Sequence, residues 1–191
     1  MANTDRINGL RAVKFDDSLI YPCYKAAGTT VTNDMFVGDP VVLAGSADPA
    51  TGNPSVTVAT AGAGNAIYGV VNQIALQPAT LDRASWIDGA DDGTVMVLVD
   101  PQAVYEGQAD EALAVTDVGM NANVVLTQSG SRTSGASGFE VDATVATTNT
   151  CQLKIIGFPN RADNEIGAVN NKVLVTINNR QLVGDTGSTG V

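Results

Sequence analysis

The chain has no histidine, and among its 191 residues it has only two cysteines, one tryptophan, four tyrosines and four phenylalanines. Without histidine there is no Ser-His-Asp or Cys-His catalysis and no imidazole metal site. Cys23 and Cys151 lie far apart and match no metal or redox spacing, so they read as two buried, reduced thiols; a disulfide would require the fold to bring them together. Charge is also scarce. Only 16% of residues are Asp, Glu, Lys or Arg, against roughly 25% in an average soluble domain. The balance is acidic, with ten basic residues scattered among twenty acidic ones and a net charge of −10. Nucleic-acid binding needs Lys and Arg massed against phosphates, and no such patch is present. No apolar run approaches the ~20 residues of a membrane helix. The polar opening leads into no apolar signal-like segment, so the expectation is a protein made in a cytoplasm with no membrane partner.

Chemical motifs are missing as well. There is no P-loop and no dinucleotide fingerprint; residues 61–65, AGAGN, contain G-x-G but sit between strand-like runs and read as a turn. The acidic run Asp88-Gly89-Ala90-Asp91-Asp92-Gly93 lacks the alternating ligands of a calcium loop, and the twelfth position, 99, is Val rather than Glu. It reads as a solvated acidic turn. Asp16/Asp17 and Asp110/Glu111 are adjacent pairs whose side chains diverge on a strand, which is unsuited to paired-carboxylate hydrolysis. No catalytic residue, no cofactor and no metal ligand is expected.

What the chain does have is β-branched bulk broken by turn formers. Apolar residues make up 44%, enough for a real core filled by Val, Ala, Leu and Ile. The organising stretch is residues 38–73, GDPVVLAGSADPATGNPSVTVATAGAGNAIYGVVNQ. It holds strand-like runs at 40–44, 55–60 and 66–73, separated by Gly, Asp, Asn, Pro and Ser clusters. Further strands are expected at 19–25, 35–37, 94–100, 104–106, 124–127, 139–145, 151–158 and 172–178. Pro22 puts the first of these at an edge or bulge. Residues 94–100, TVMVLVD, look buried on both faces. In the last strand Val173, Val175 and Ile177 should face the core, with Leu174 and Thr176 facing away. The expected fold is all-β: a small barrel or sandwich of about nine to eleven short strands with little helix.

The connections carry weaker signals. Residues 80–87 suit one or two helical turns capped by Thr80, and 108–114 a short helix or turn. Residues 128–138, QSGSRTSGASG, have the Ser/Gly composition of an exposed mobile loop. Ile166-Gly167-Ala168 reads as a small core segment inside a polar connection. Residues 1–18 read as an N-terminal arm, 19–180 as the body and 181–191 as a small, Gly-rich tail. The arm carries Arg6, Arg11 and Lys14 against an acidic remainder, with Leu10, Val13 and Phe15 as apolar anchors. It is either a solvated tail entering the first strand or a segment that orders on a neighbour. Trp86, beside the acidic run, is either an interface anchor or a lid on one end of the barrel.

Taken in order, the opening MANTDRINGLRAVK, the FVGDPVVLAGSAD and TVATAGAGNAIYGVV runs, the ALAVTDVGMNANVVL segment and the near-terminal RADNEIGAVNNKVLVTINNRQL resemble the capsid cement, or decoration, proteins of tailed bacteriophages. The resemblance covers residues 1 to about 182 and rests on the order of several segments rather than on one motif. It implies a virion structural protein on the capsid outer surface, docked on the major capsid protein lattice and stabilising the expanded head. It also implies self-association as a homotrimer or homodimer, and no enzymatic residues. The arms become candidate contacts: Arg6, Leu10, Arg11 and Phe15 at one end, Gln181, Leu182 and Val183 at the other, with Trp86 between. On this view, removing residues 1–14 should leave the body folded while weakening shell binding. The alternatives are another phage part, such as a head-fibre base, tail or baseplate component, and a sugar-binding or hydrolytic module centred on Trp86 with Asp88, Asp91 and Asp92.

Overall fold

The computed structural model describes residues 3–28, 34–76, 81, 83, 85–182 and 190, and over these the chain is all-β. Fourteen strands are present among the described residues, joined by turns and two three-residue 3-10 segments. Five strands close into a barrel in the order β2 (Ile20–Lys25), β5 (Pro54–Val58), β4 (Pro40–Ala47), β6 (Gly69–Ile74) and β8 (Gly93–Leu98). The organising stretch therefore supplies three of the five staves. Val41, Val56, Val71, Val95 and Val97 fill the barrel with Cys23, Met35, Ile74 and Ile87. The β-branched side chains on successive staves point inward because strand side chains alternate. β2 meets β5 only at Tyr24↔Ser55, so Pro22 has β8 as its single strand neighbour, the edge-like position its missing amide requires.

Against the barrel lies a five-stranded antiparallel sheet, β1 (Arg11–Lys14), β9 (Val104–Gln108), β14 (Lys172–Ile177), β13 (Leu153–Gly157) and β10 (Asn121–Ala122). Two small two-stranded antiparallel sheets complete the fold, β11 (Val124–Leu126) with β12 (Phe139–Val141), and β3 (Met35–Phe36) with β7 (Trp86–Ile87). A second core fills the junction. Leu10, Tyr105, Leu153, Ile155, Val173, Val175 and Ile177 meet Ala59, Ile67, Val70 and Leu98 from the barrel side. β14 alternates as its sequence predicts, with 173, 175 and 177 buried and the intervening positions half-buried. β8 does so only in part: Thr94 and Met96 are half-buried, and both faces are covered only from Val97 to Leu98, where the sheet packs against the barrel.

Several expectations change. The segment read as an arm belongs to the body: β1 pairs with β9 and Leu10 is 1% exposed in the second core. Burying that side chain stabilises by about 1.5–3 kcal/mol, so removing residues 1–14 should unseat part of the fold rather than leave it intact. Gly9 shows how tightly this segment is laid down. Its φ is +65°, and a Cβ there would fall 2.5 Å from the Gly38 carbonyl oxygen and 2.6 Å from Ser137 Cβ. At the other end, Ile67 donates its amide to Asn179, Gln181 donates to Ile67, and the Gln181 side chain accepts from Leu43, so the body runs on past residue 180. Strands also appear at 86–87, where a helical turn was expected (80, 82 and 84 lie outside the described residues), and at 121–122. Residues 108–114 bend without forming a helix. Ile166 is 42% exposed, so 166–168 is a surface turn and not core. Cys23 and Cys151 are both buried and free, and burial pushes the Cys23 thiol up to about 11, against a bond to Tyr68 that works the other way.

Tyr105 is fully buried, yet its hydroxyl has no hydrogen-bond partner among the described residues. A buried unpaired hydroxyl costs on the order of 1–2 kcal/mol. Tyr105→Phe is therefore expected to leave stability unchanged or raise it by about 1 kcal/mol. Urea denaturation of the two proteins tests this, and a loss above about 1 kcal/mol would mean that the hydroxyl is satisfied.

Candidate functional site

The densest polar chemistry gathers where β2, the β3–β7 pair, the acidic turn 88–92 and the loop 128–138 converge. Lys25 is its buried centre, 3% exposed. Its ammonium donates to the carbonyls of Asp91 (2.8 Å), Gly89 (3.2 Å) and Ala26 (3.3 Å), which uses all three N–H groups. Burial pulls its pKa down, while Asp34, Asp88, Asp91 and Asp92 pull it back up. Above it, Arg132 forms a fork onto Asp34 (Nε–Oδ2 2.7 Å, Nη2–Oδ1 2.8 Å) and reaches Asp88 at 2.9 Å. Arg83 pairs with Asp91 at 2.7 Å, and Tyr24 donates to Asp92 at 2.9 Å. The Ala90 amide, then Arg132, Arg83 and Lys25, hold the Asp88 carboxyl below its ordinary value. The acidic turn is thus exposed at Ala90 and Asp92 but is not merely solvated. Asp88 and Asp91 are tied to cations of the same chain, and Asp92 accepts from Tyr24.

Trp86 lies at the rim of this cluster, half-buried. The Arg83 and Arg132 guanidinium carbons each sit 5.0 Å from its ring centroid, and Phe36 stacks beside it at 6.1 Å and 21°. The adjoining cavity measures about 10 Å³, lined by Trp86, Arg83, Ile74 and the acids, room for about one water. A sugar ring needs an open aromatic face and more space, so this geometry does not suit the glycan alternative. Asp88, Asp91 and Asp92 are each bonded to a neighbour. Asp110 accepts from the Ala143 amide, and Asp16 from the Ser18 amide, so both act as backbone caps.

The loop 128–138 is exposed at 128–129 and 131–134, as its Ser/Gly composition suggests, but is packed at 135, 137 and 138. Arg132 anchors its tip. Gly135 lies where a Cβ would meet Ser85 at 2.4 Å, and Gly138 where one would meet the Gln128 carbonyl at 1.9 Å. Ser137 is 1% exposed and reaches Asp39. Asp39 itself is 2% exposed and accepts from the Phe36 amide at 2.8 Å. Burial pushes its carboxyl up to about 7, against the bonds from Ser137 and Phe36 and the nearby Arg11 charge. Glycine here is a packing residue, a role that composition does not reveal.

The sequence-derived contacts fall in three places. Arg6 is exposed, with its amide on Gln108 Oε1 at 2.7 Å. Leu10 is core. Arg11 is half-buried and bonded to Asn8. Phe15 is 39% exposed on the same segment. Trp86 lies in the cluster described above. Gln181 is bonded to the barrel and Leu182 is 59% exposed; Val183 lies outside the described residues. Leu10, 1% exposed, is unavailable to a neighbour. Lys25, Asp34, Asp39, Arg132 and Ser137 carry the local architecture and bear no individual signal in the sequence.

Among the described residues no group of three or more His, Cys, Asp or Glu side chains is placed to hold a metal ion, and no helix is long and apolar enough to cross a membrane. The class defined by the fold is a two-lobed all-β protein, a closed five-stranded barrel backed by an antiparallel sheet. No family model, curated protein or solved structure matches the chain.

Proposed function

We propose that this chain is a capsid cement protein of a tailed bacteriophage. It binds the outer surface of the assembled major capsid protein lattice and stabilises the expanded head. The observation that carries the reading is the ordered series of segments from the MANTDRINGLRAVK opening to RADNEIGAVNNKVLVTINNRQL. The physical character of the body supports it. Charge is low, aliphatic side chains such as Val115, Val169 and Leu182 stand more than half exposed, and in the polar cluster Arg83 and Arg132 are paired with acids of the same chain. Such a surface suits burial against a lattice better than turnover of a substrate. The partners are the major capsid protein and further copies of the chain, as a homotrimer or homodimer on the virion exterior, with no nucleic acid and no membrane.

The mechanism is linkage. A protein that binds only the assembled, expanded shell stabilises that state by about 2.7 kcal/mol per site at a free concentration one hundred times its Kd. Co-sedimentation with empty expanded heads lacking the protein is expected to saturate at a fixed ratio to the major capsid protein and to raise the shell melting temperature. Failure to bind, with the protein recovered instead in tails or at a few copies per particle, would replace this reading with that of a tail, baseplate or head-fibre component.

A further inference from the structure

We propose that one end of the five-stranded sheet is a docking face for a protein partner that presents an apolar surface bordered by lysine and arginine. The face is formed where the turns 113–119 and 164–171 meet the end of β13. Turns are ordinarily built from Gly, Asn, Asp and Ser. These two carry Val115 (66% exposed), Val169 (57%), Ile166 (42%) and Val118 (40%), and Ile156 (42%) faces outward near the end of β13; none of the five is buried by the chain's own fold.

The backbone holds these side chains together. The Gly119 amide donates to Ile155 and the Ile155 amide to Met120, both at 2.9 Å, which sets Val118 beside Ile156. The Gly167 amide donates to Leu113 at 3.0 Å, and the Asn171 side chain bonds both backbone groups of that fully buried leucine. Asn164 ties Pro159 to Lys172. The Asn3 amide group reaches the carbonyls of Glu165 and Val169. A face fixed in this way loses little conformational freedom on binding.

Charge selects the occupant. Glu111, Asp117 and Glu165 lie in the same segments as the aliphatic group, with Lys154 two residues before Ile156 on the same face of β13, and Arg161 and Lys172 are paired with Glu106 and Asp163. A second copy docked through a two-fold axis would set these acids against themselves, on a chain already at −10. A partner with basic residues around an apolar centre would be complementary. In the cement reading, on which the identity of the partner rests, that partner is the capsid lattice.

The test uses the full chain and empty expanded heads. The double variant Val115→Asp/Val169→Asp is expected to raise Kd at least about tenfold with an unchanged melting temperature. Glu111→Lys should weaken binding about twofold to fivefold, added salt should weaken the wild type, and Leu76→Asp, an exposed aliphatic elsewhere, should bind normally. Wild-type binding with unchanged affinity in both the double variant and Glu111→Lys would overturn this face and leave the cement reading standing. Equal losses in Leu76→Asp would also overturn it. If the wild type does not bind heads, both readings fall.

Discussion

Replacing Lys25 with Met is expected to cost about 3–5 kcal/mol, close to the whole stability of a marginal domain. The side chain is 3% exposed and all three of its N–H groups are bonded to carbonyls of Ala26, Gly89 and Asp91. Met fills a similar volume but donates nothing. Three carbonyls lose a donor, and Asp34, Asp88, Asp91 and Asp92 lose the one buried charge, among the described residues, that balances them. Arg83 and Arg132 remain, but both are partly exposed and bind from the rim. Exposed ion pairs are worth little, typically under about 1 kcal/mol, so they cannot compensate for the buried centre. Urea denaturation at neutral pH reads the effect as a shift in midpoint at constant slope. A loss below about 1 kcal/mol would mean that the acidic turn holds its shape without the ammonium.

The second large effect is a pH dependence that runs opposite to acid denaturation. Asp39 titrates near 7 in the folded chain and near 3.9 when unfolded. Between these values the folded state binds more protons than the unfolded one, so stability falls as pH rises. The contribution is complete below about pH 4 and lost on passing above 7. At 1.36 kcal/mol per unit, a shift of about three units corresponds to about 4 kcal/mol. Asp16, Asp48 and Asp88, held below their ordinary values, contribute in the other direction at acid pH, so the total curve mixes both. The variant Asp39→Asn isolates the term, since its amide oxygen can still accept from Phe36 without ionising. Melts at pH 5.5 and 8.5 should show the wild type losing stability relative to the variant as pH rises. Parallel curves for the two proteins would place the Asp39 titration elsewhere.

Much of the fold is legible in local pattern. The alternation of β14 and the Val-rich runs at 40–44, 55–60 and 66–73 mark their strands because each buries one face against a continuous core, which is what period-two patterning records. The strand of residues 11–14 is hidden for the opposite reason. Arg11 and Lys14 flank a short apolar core, and the pairing that makes it a strand comes from β9, more than ninety residues later. The 128–138 loop misleads because composition cannot separate Gly and Ser that are mobile from Gly and Ser that fit where nothing larger would. Lys25 and Asp39 look like ordinary surface charges. Their burial is decided by the acidic turn and by Ser137, which are distant in sequence. The polar cluster is therefore a product of tertiary structure and not of any motif.

The way residues 11–14 and 179–181 are built into the body has a consequence for synthesis. Residues 11–14 find their partner only when 104–108 have followed, and the bridge from residues 179–181 to Ile67 closes later still. The five staves of the barrel all come from residues 20–98, but the five-stranded sheet stays incomplete until β14 arrives. Folding is governed by these late, distant pairings, which makes it slow compared with helical proteins of similar length. During that interval the apolar side chains that the sheet will cover, Ala59, Ile67, Val70 and Leu98, stand exposed to neighbouring nascent chains, so high-level production at low temperature or with chaperone support should favour the soluble form.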